Sequence, residues 1–225
     1  MPQSRTPLKT KFEAPKPAPR PELETFDFLE QGSEDWLKIR AGLATASEFQ
    51  NLMRANGKDS KTRRTYQNRL AAEIITGEPT PTYTNADMER GKEWEPEARY
   101  LYSMLTGRDL KQIGFMRRGR VGCSPDSLIE GEKVALEVKT QKAELLIDRH
   151  REIGDGVPPE YYAQCQGIIW IADLDAVDLM VYSRKLPVWI RTVHRDQPYI
   201  DKLASEVDEF LVELDQLVKF LRGLR

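Results

Sequence analysis

Histidine and cysteine, the side chains that supply many enzymes with nucleophiles, proton carriers and soft-metal ligands, are nearly missing from this chain. His150 and His194 are the only histidines in 225 residues, and they form neither an HxxxH nor an HExxH spacing, which argues against histidine-based chemistry. The two cysteines, Cys123 and Cys165, share no CxxC spacing. That argues against a disulfide framework, a zinc knuckle or a four-cysteine iron–sulfur cluster, and both read as reduced and buried. No serine nucleophile elbow or phosphate-binding P-loop occurs, so ATP is not an expected cofactor. No apolar run approaches the roughly 20 residues of a membrane span. The N-terminus lacks the charged-then-apolar order of a secretory signal, and the chain reads as cytoplasmic, with no membrane partner. An excess of one charge is missing too: 34 Lys and Arg oppose 36 Asp and Glu, so any nucleic-acid contact must rest on a local patch. Three basic clusters are candidates: Lys58, Lys61, Arg63 and Arg64; Arg117, Arg118 and Arg120; and Arg149 with Arg151. Solvated faces explain such clusters equally well.

The residues that are present divide the chain in two. Residues 1–24 alternate Pro15, Pro17, Pro19 and Pro21 among basic side chains, cannot bury enough apolar surface to order themselves, and read as a tail. Residues 25–225 read as a single domain, large enough to bury a core without staples. Ser33 is placed to cap a helix carrying Trp36, Leu37 and Ile39, and Ser47 to cap another starting at Glu48. Further helices are expected over 61–76, stopped by Gly77, and over 87–106, stopped by Gly107. The latter carries a core stripe of Trp94, Ala98, Leu101, Tyr102 and Leu105. Strand-like runs at 112–116, 120–123, 127–129 and 134–138, the last two joined by a Glu130-Gly131-Glu132 turn, predict an antiparallel meander. Helices over 142–152 and 160–172, strands near 176–183 and 188–193, and a long amphipathic helix from Ile200 to Leu221 complete an α/β or α+β pattern, with helices flanking a mixed central sheet.

The chemistry is concentrated around Ser124-Pro125-Asp126 and Glu137-Val138-Lys139. Two residues apart on a strand, Glu137 and Lys139 project from one face while Val138 projects from the other, and the intervening hairpin can return them beside Asp126. Two carboxylates and a lysine at a strand end match what phosphodiester hydrolysis needs: hard oxygen ligands for divalent cations, and a cation to orient water or neutralise phosphate. Glu95, on the preceding helix, could add a third carboxylate, and Gln164, on a following helix, could hydrogen-bond the lysine or the attacking water. Each also has a plainer reading, Asp126 in a turn and the Glu137/Lys139 pair on a solvent-facing edge strand.

Six blocks in order carry a family resemblance: Gln31-Gly32-Ser33-Glu34-Asp35-Trp36 with Arg40, Thr45-Ala46-Ser47-Glu48, Gly91-Lys92-Glu93-Trp94-Glu95, Cys123-Ser124-Pro125-Asp126, Leu136-Glu137-Val138-Lys139, and Tyr162-Ala163-Gln164-Cys165-Gln166. Over roughly residues 28–220 the chain resembles the lambda-exonuclease family, the YqaJ-type phage recombination nucleases of the PD-(D/E)xK superfamily. The resemblance implies a restriction-endonuclease-like core. It implies that Asp126, Glu137, the Val138 carbonyl and Glu95 hold Mg²⁺, with two ions expected and Mn²⁺ a substitute, while Lys139 and Gln164 position the nucleophilic water. It also implies that Arg40, Ser47 and Ser124 meet a terminal 5′-phosphate. The implied activity is 5′-to-3′ degradation of one strand of duplex DNA to mononucleotides, leaving a 3′ overhang. The implied assembly is a homotrimeric ring threaded by DNA and serving a single-strand annealing recombinase. Two alternatives stand beside this reading: an endonuclease of the same fold, such as a restriction or junction-resolving enzyme, and a non-catalytic DNA-binding recombination scaffold.

Overall fold

The computed structural model describes residues 20–54, 60–81, 86–152 and 156–224. Lys58 of the first basic cluster, Gly154, most of the 1–24 tail and most of the linker around 79–85 lie outside them.

Capping explains the first helices. In α1 (Glu34–Arg40) the Ser33 hydroxyl accepts the Trp36 N–H at 3.3 Å, and α3 (Lys61–Thr76) begins where Ser60 accepts the Arg63 N–H. Gly77, at φ 74°, ends α3 in the left-handed region that a Cβ disfavours, as expected. The Ser47 expectation fails. Ala46–Glu48 is a 3₁₀ turn capped by no side chain and running into α2 (Phe49–Leu52); Ser47 sits inside the turn, exposed, with its hydroxyl 3.4 Å from that of Thr45.

Among the described residues the strands form two sheets. One orders β1 (Leu23–Phe26), β4 (Phe115–Arg118), β5 (Val121–Cys123) and β2 (Ala44–Thr45). The other orders β3 (Leu110–Lys111), β6 (Ser127–Ile129), β7 (Val134–Thr140), β8 (Ala176–Tyr182) and β9 (Trp189–His194). The expected meander is therefore broken: β4 pairs with β5 and β6 with β7, both antiparallel, but Ser124-Pro125-Asp126 carries the chain from the first sheet to the second. Pro125, with no N–H to donate, suits the crossing. Order also starts earlier than composition implies. β1 begins inside the proline-rich segment, pairing Leu23 with Arg118, and the Arg118 guanidinium binds the Pro21 carbonyl.

Two helical layers cover the larger sheet. Along β8, every residue buried, Val177, Leu179 and Val181 enter one core while Met180 and Tyr182 enter the other, the alternation a strand sandwiched on both faces requires. The first core is closed by α3, α6 (Pro159–Ala172) and α7 (Gln197–Arg222), whose Ile200, Leu203, Val207, Phe210, Leu214 and Val218 are buried at helical spacing. The second lies beneath α4 (Ala86–Thr106), where Ala98 and Tyr102 are fully buried. Leu105, expected in that stripe, is instead 59% exposed. A shorter helix, α5 (Ala143–Glu152), follows β7. No helix among the described residues is long and apolar enough to cross a membrane.

Candidate active site

β7 runs between β6 and β8, with β8 parallel to it, so the edge-strand reading of Glu137 and Lys139 does not hold. Ala135 shares their face and belongs to the core under α6, while Leu136 and Val138 point into the core under α4. Glu137 is accordingly 3% exposed, a costly position for a carboxylate. One of its oxygens is well served: Oε1 accepts the Lys139 ammonium at 2.7 Å and the Gln164 amide N–H at 2.5 Å, while the Gln164 carbonyl accepts Lys139 at 3.0 Å. Its other oxygen, Oε2, is buried with no hydrogen-bond partner.

Asp126 arrives at the same place from the sheet-to-sheet crossing, with its Oδ2 accepting the Val138 N–H at 2.6 Å. Burial, reinforced by the charges of Glu137 and Glu95 against the pull of Lys139, holds its carboxyl well above the usual range. Lys139 moves the other way from what burial alone would cause: the charges of Glu137 and Asp126 outweigh desolvation and raise it. Glu95 is also raised, by burial first, and acts on Asp126, but its carboxylate is engaged by Arg99 one helical turn on. Among the described residues no three His, Cys, Asp or Glu side chains converge into a metal-holding group. What converges is a pair of acids with one unsatisfied buried oxygen, a donor set of hard oxygens that fits Mg²⁺ or Mn²⁺ completed by main-chain and water oxygens.

A cavity of about 190 Å³ joins this pair to the expected phosphate residues: Asp126, Glu137 and Gln164 line it together with Arg40, Ser47, Ser124, Trp36 and Cys123. The Arg40 guanidinium lies 3.6 Å above the Trp36 ring, with no hydrogen-bonding or ionic partner among the described residues, and burial lowers its pKa to about 10. Ser124 accepts the Trp36 indole N–H at 3.1 Å, which fixes it beside Asp126. Two residues of the first sequence block, Trp36 and Gln31, act as braces. The Trp36 indole N–H also reaches the Gly114 carbonyl at 2.8 Å, and the Gln31 amide donates to the carbonyls of Ile113 at 2.7 Å and Pro125 at 3.1 Å. Gly114 must lack a side chain there, because a Cβ would stand 2.1 Å from the Leu29 carbonyl.

The YqaJ-like viral recombinase domain matches residues 35–175, which hold every one of these site residues except Gln31. The chain belongs to that family. No curated protein matches it. Among solved structures it is similar to LHK-Exo, an alkaline exonuclease from Laribacter hongkongensis, at 27% identity and a TM-score of 0.76 over 85% of this chain and 97% of that one. The complex of LHK-Exo with dAMP aligns at 28% identity, TM-score 0.77, over the same shares. A phage-related exonuclease from Haemophilus somnus 129PT, at 18% identity and TM-score 0.61 over 80% and 96%, shares the fold. The mixed, helix-flanked sheets are those of lambda-exonuclease-like nucleases.

The second basic cluster does not survive as a patch, and Arg63 is withdrawn from the first. Arg63 is buried and paired with Glu213; Arg117 pairs with Glu24; Arg118 binds main-chain carbonyls; and Arg120 binds Asp215 through both carboxylate oxygens. Arg149 lies over the Tyr161 ring and donates to Gln141.

Proposed function

We propose that the chain is a Mg²⁺-dependent 5′-to-3′ exonuclease of duplex DNA, releasing mononucleotides and leaving a 3′ overhang for a single-strand annealing partner. The observation that carries the reading is the unsatisfied Oε2 of Glu137, buried beside Asp126 in a cavity that Arg40 shares. Family membership and the two LHK-Exo structures support exonucleolysis. Asp126, Glu137 and the Val138 carbonyl would hold the cation, with Glu95 released from Arg99 to join them. The cation would supply charge neutralisation at the scissile phosphate and a lowered pKa for a bound water. Lys139 and Gln164, already hydrogen-bonded to each other, hold donors and an acceptor where an attacking water needs orientation. Arg40, with Ser47 and Ser124, would seat the terminal 5′-phosphate, since an unpaired guanidinium beside hydroxyls favours an anion. A homotrimeric ring is part of the same proposal.

Linear duplex labelled at either 5′ or 3′ end, with and without a 5′-phosphate, tests it. The expected result is Mg²⁺- or Mn²⁺-supported loss of nucleotides from 5′-phosphorylated ends, abolished by chelation, with covalently closed circles spared. Cleavage of the closed circle would make the chain an endonuclease, and digestion unaffected by Asp126→Ala would remove the site.

A further inference from the structure

A second and larger cavity, about 650 Å³, meets the catalytic one at Gln31 and Asp126, yet none of Arg40, Ser47 and Ser124 lines it. Asp126 therefore stands where two arms join. If a terminal phosphate occupies the Arg40 arm and bond cleavage takes place at Asp126, the strand that remains must leave through the other arm. That arm is acidic: Asp27, Glu30, Glu95 and Asp126 line it. A phosphodiester entering it needs a counter-charge.

Two cations border the arm, Arg99 and Lys92. Arg99 is engaged by Glu95. Lys92 has no hydrogen bond or ion pair among the described residues, while several charges around it on α4 are paired elsewhere. Arg90 pairs with Asp87, and Glu93 and Glu97 both pair with Arg184. Of the acids three positions from Lys92 on the helix, Glu95 is engaged by Arg99 and Glu89 makes no pair with it. Pro96, one turn on, has no N–H for the Lys92 carbonyl and lines the same arm. The side chain reaches across to the opposite loop, since a Cβ at Gly32 would stand 3.4 Å from its Nζ.

We propose that Lys92 binds the DNA phosphate one linkage to the 3′ side of the scissile bond and so holds the retained strand in register. The inference rests on the exonuclease reading. Lys92 contributes a point charge and takes no part in proton transfer, so its loss acts on KM and leaves kcat nearly unchanged.

The test uses 5′-phosphorylated duplex carrying one neutral methylphosphonate between the second and third nucleotides of the degraded strand. Lys92→Gln should lower kcat/KM on ordinary duplex roughly tenfold, as expected for one charge-assisted contact, and Lys92→Arg should restore most of it. The methylphosphonate should cost the wild type a similar factor and cost Lys92→Gln almost nothing more. Equal losses in both proteins, or an unchanged KM for Lys92→Gln, would overturn the contact. Duplex binding in chelator supplies a readout without catalysis: the slope of log affinity against log salt should shrink by roughly 0.9 in Lys92→Gln and not in the control Lys202→Gln. A lowered slope with no digestion by the wild type would sink the exonuclease reading and keep the phosphate contact. An unchanged slope with normal digestion would sink the contact alone.

Discussion

At the floor of the candidate cavity two acids, Asp126 and Glu137, share buried space with one lysine, whereas its wall holds a guanidinium, Arg40, that pairs with no acid among the described residues. Neither end is electrostatically complete, and they are incomplete in opposite senses. The floor is held rigidly by Lys139, Gln164 and the Val138 N–H and lacks a cation at Glu137 Oε2. The wall rests on the face of Trp36 and lacks an anion. A ligand that carries both, a divalent ion bound to a phosphate ester, satisfies both at once.

The strongest way to break this comparison is to remove the floor's acid. Glu137→Gln should lower the rate of digestion by about 1000-fold, the equivalent of several kcal/mol of lost charge stabilisation. In chelator its melting temperature should match or exceed that of the wild type, because a buried, half-satisfied charge is gone, and Mg²⁺ should no longer raise it. A large loss of stability would mean that Glu137 serves the fold.

Next in size, Arg40→Gln should remove the advantage of 5′-phosphorylated over 5′-hydroxyl ends, costing about 10-fold to 100-fold in KM on the phosphorylated duplex. An advantage kept intact would place the phosphate elsewhere.

The floor's crowding also predicts a pH response of the metal-free protein. Asp126 holds its proton more tightly folded than unfolded, so its contribution is full below the ordinary carboxyl value of 3.8 and is lost as pH rises through the raised one. Thermal unfolding in chelator should therefore show a component that weakens with rising pH and disappears in Asp126→Asn. Saturating Mg²⁺ should reverse it, since the ion favours the ionised form.

The smallest effect sharpens the wall. Ser47 caps no helix, so Ser47→Ala should change stability by less than about 0.5 kcal/mol while weakening the response to a 5′-phosphate. Ser33→Ala, which deletes the cap of α1, should cost about 1 kcal/mol in urea unfolding.

Much of this was legible in the chain because the signals are local. The boundaries of α3 follow from Ser60 and Gly77, and the stripe of α7 from its repeat. The shared face of Glu137 and Lys139 follows from the period of a strand. The failures share a different cause. Arg63, read as a member of a basic patch, lies buried against Glu213 of α7, a contact 150 residues away in the chain. Leu105 fits a helical stripe yet finds no element above it, and the charges of Arg117 and Arg120 vanish into pairs with Glu24 and Asp215.

By itself, then, the sequence determined the bounds of most helices and the shared strand face of Glu137 and Lys139, since caps, periodicity and residue type act within a few positions. Only the tertiary structure decided that Pro125 carries the chain between two sheets, that Glu137 is buried with one oxygen unanswered, and that Asp126 stands between an Arg40 arm and a Lys92 arm. Those outcomes depend on β8 pairing with β7 and on α6 closing over them, and the free energy of burying such groups is set by neighbours that are distant along the chain.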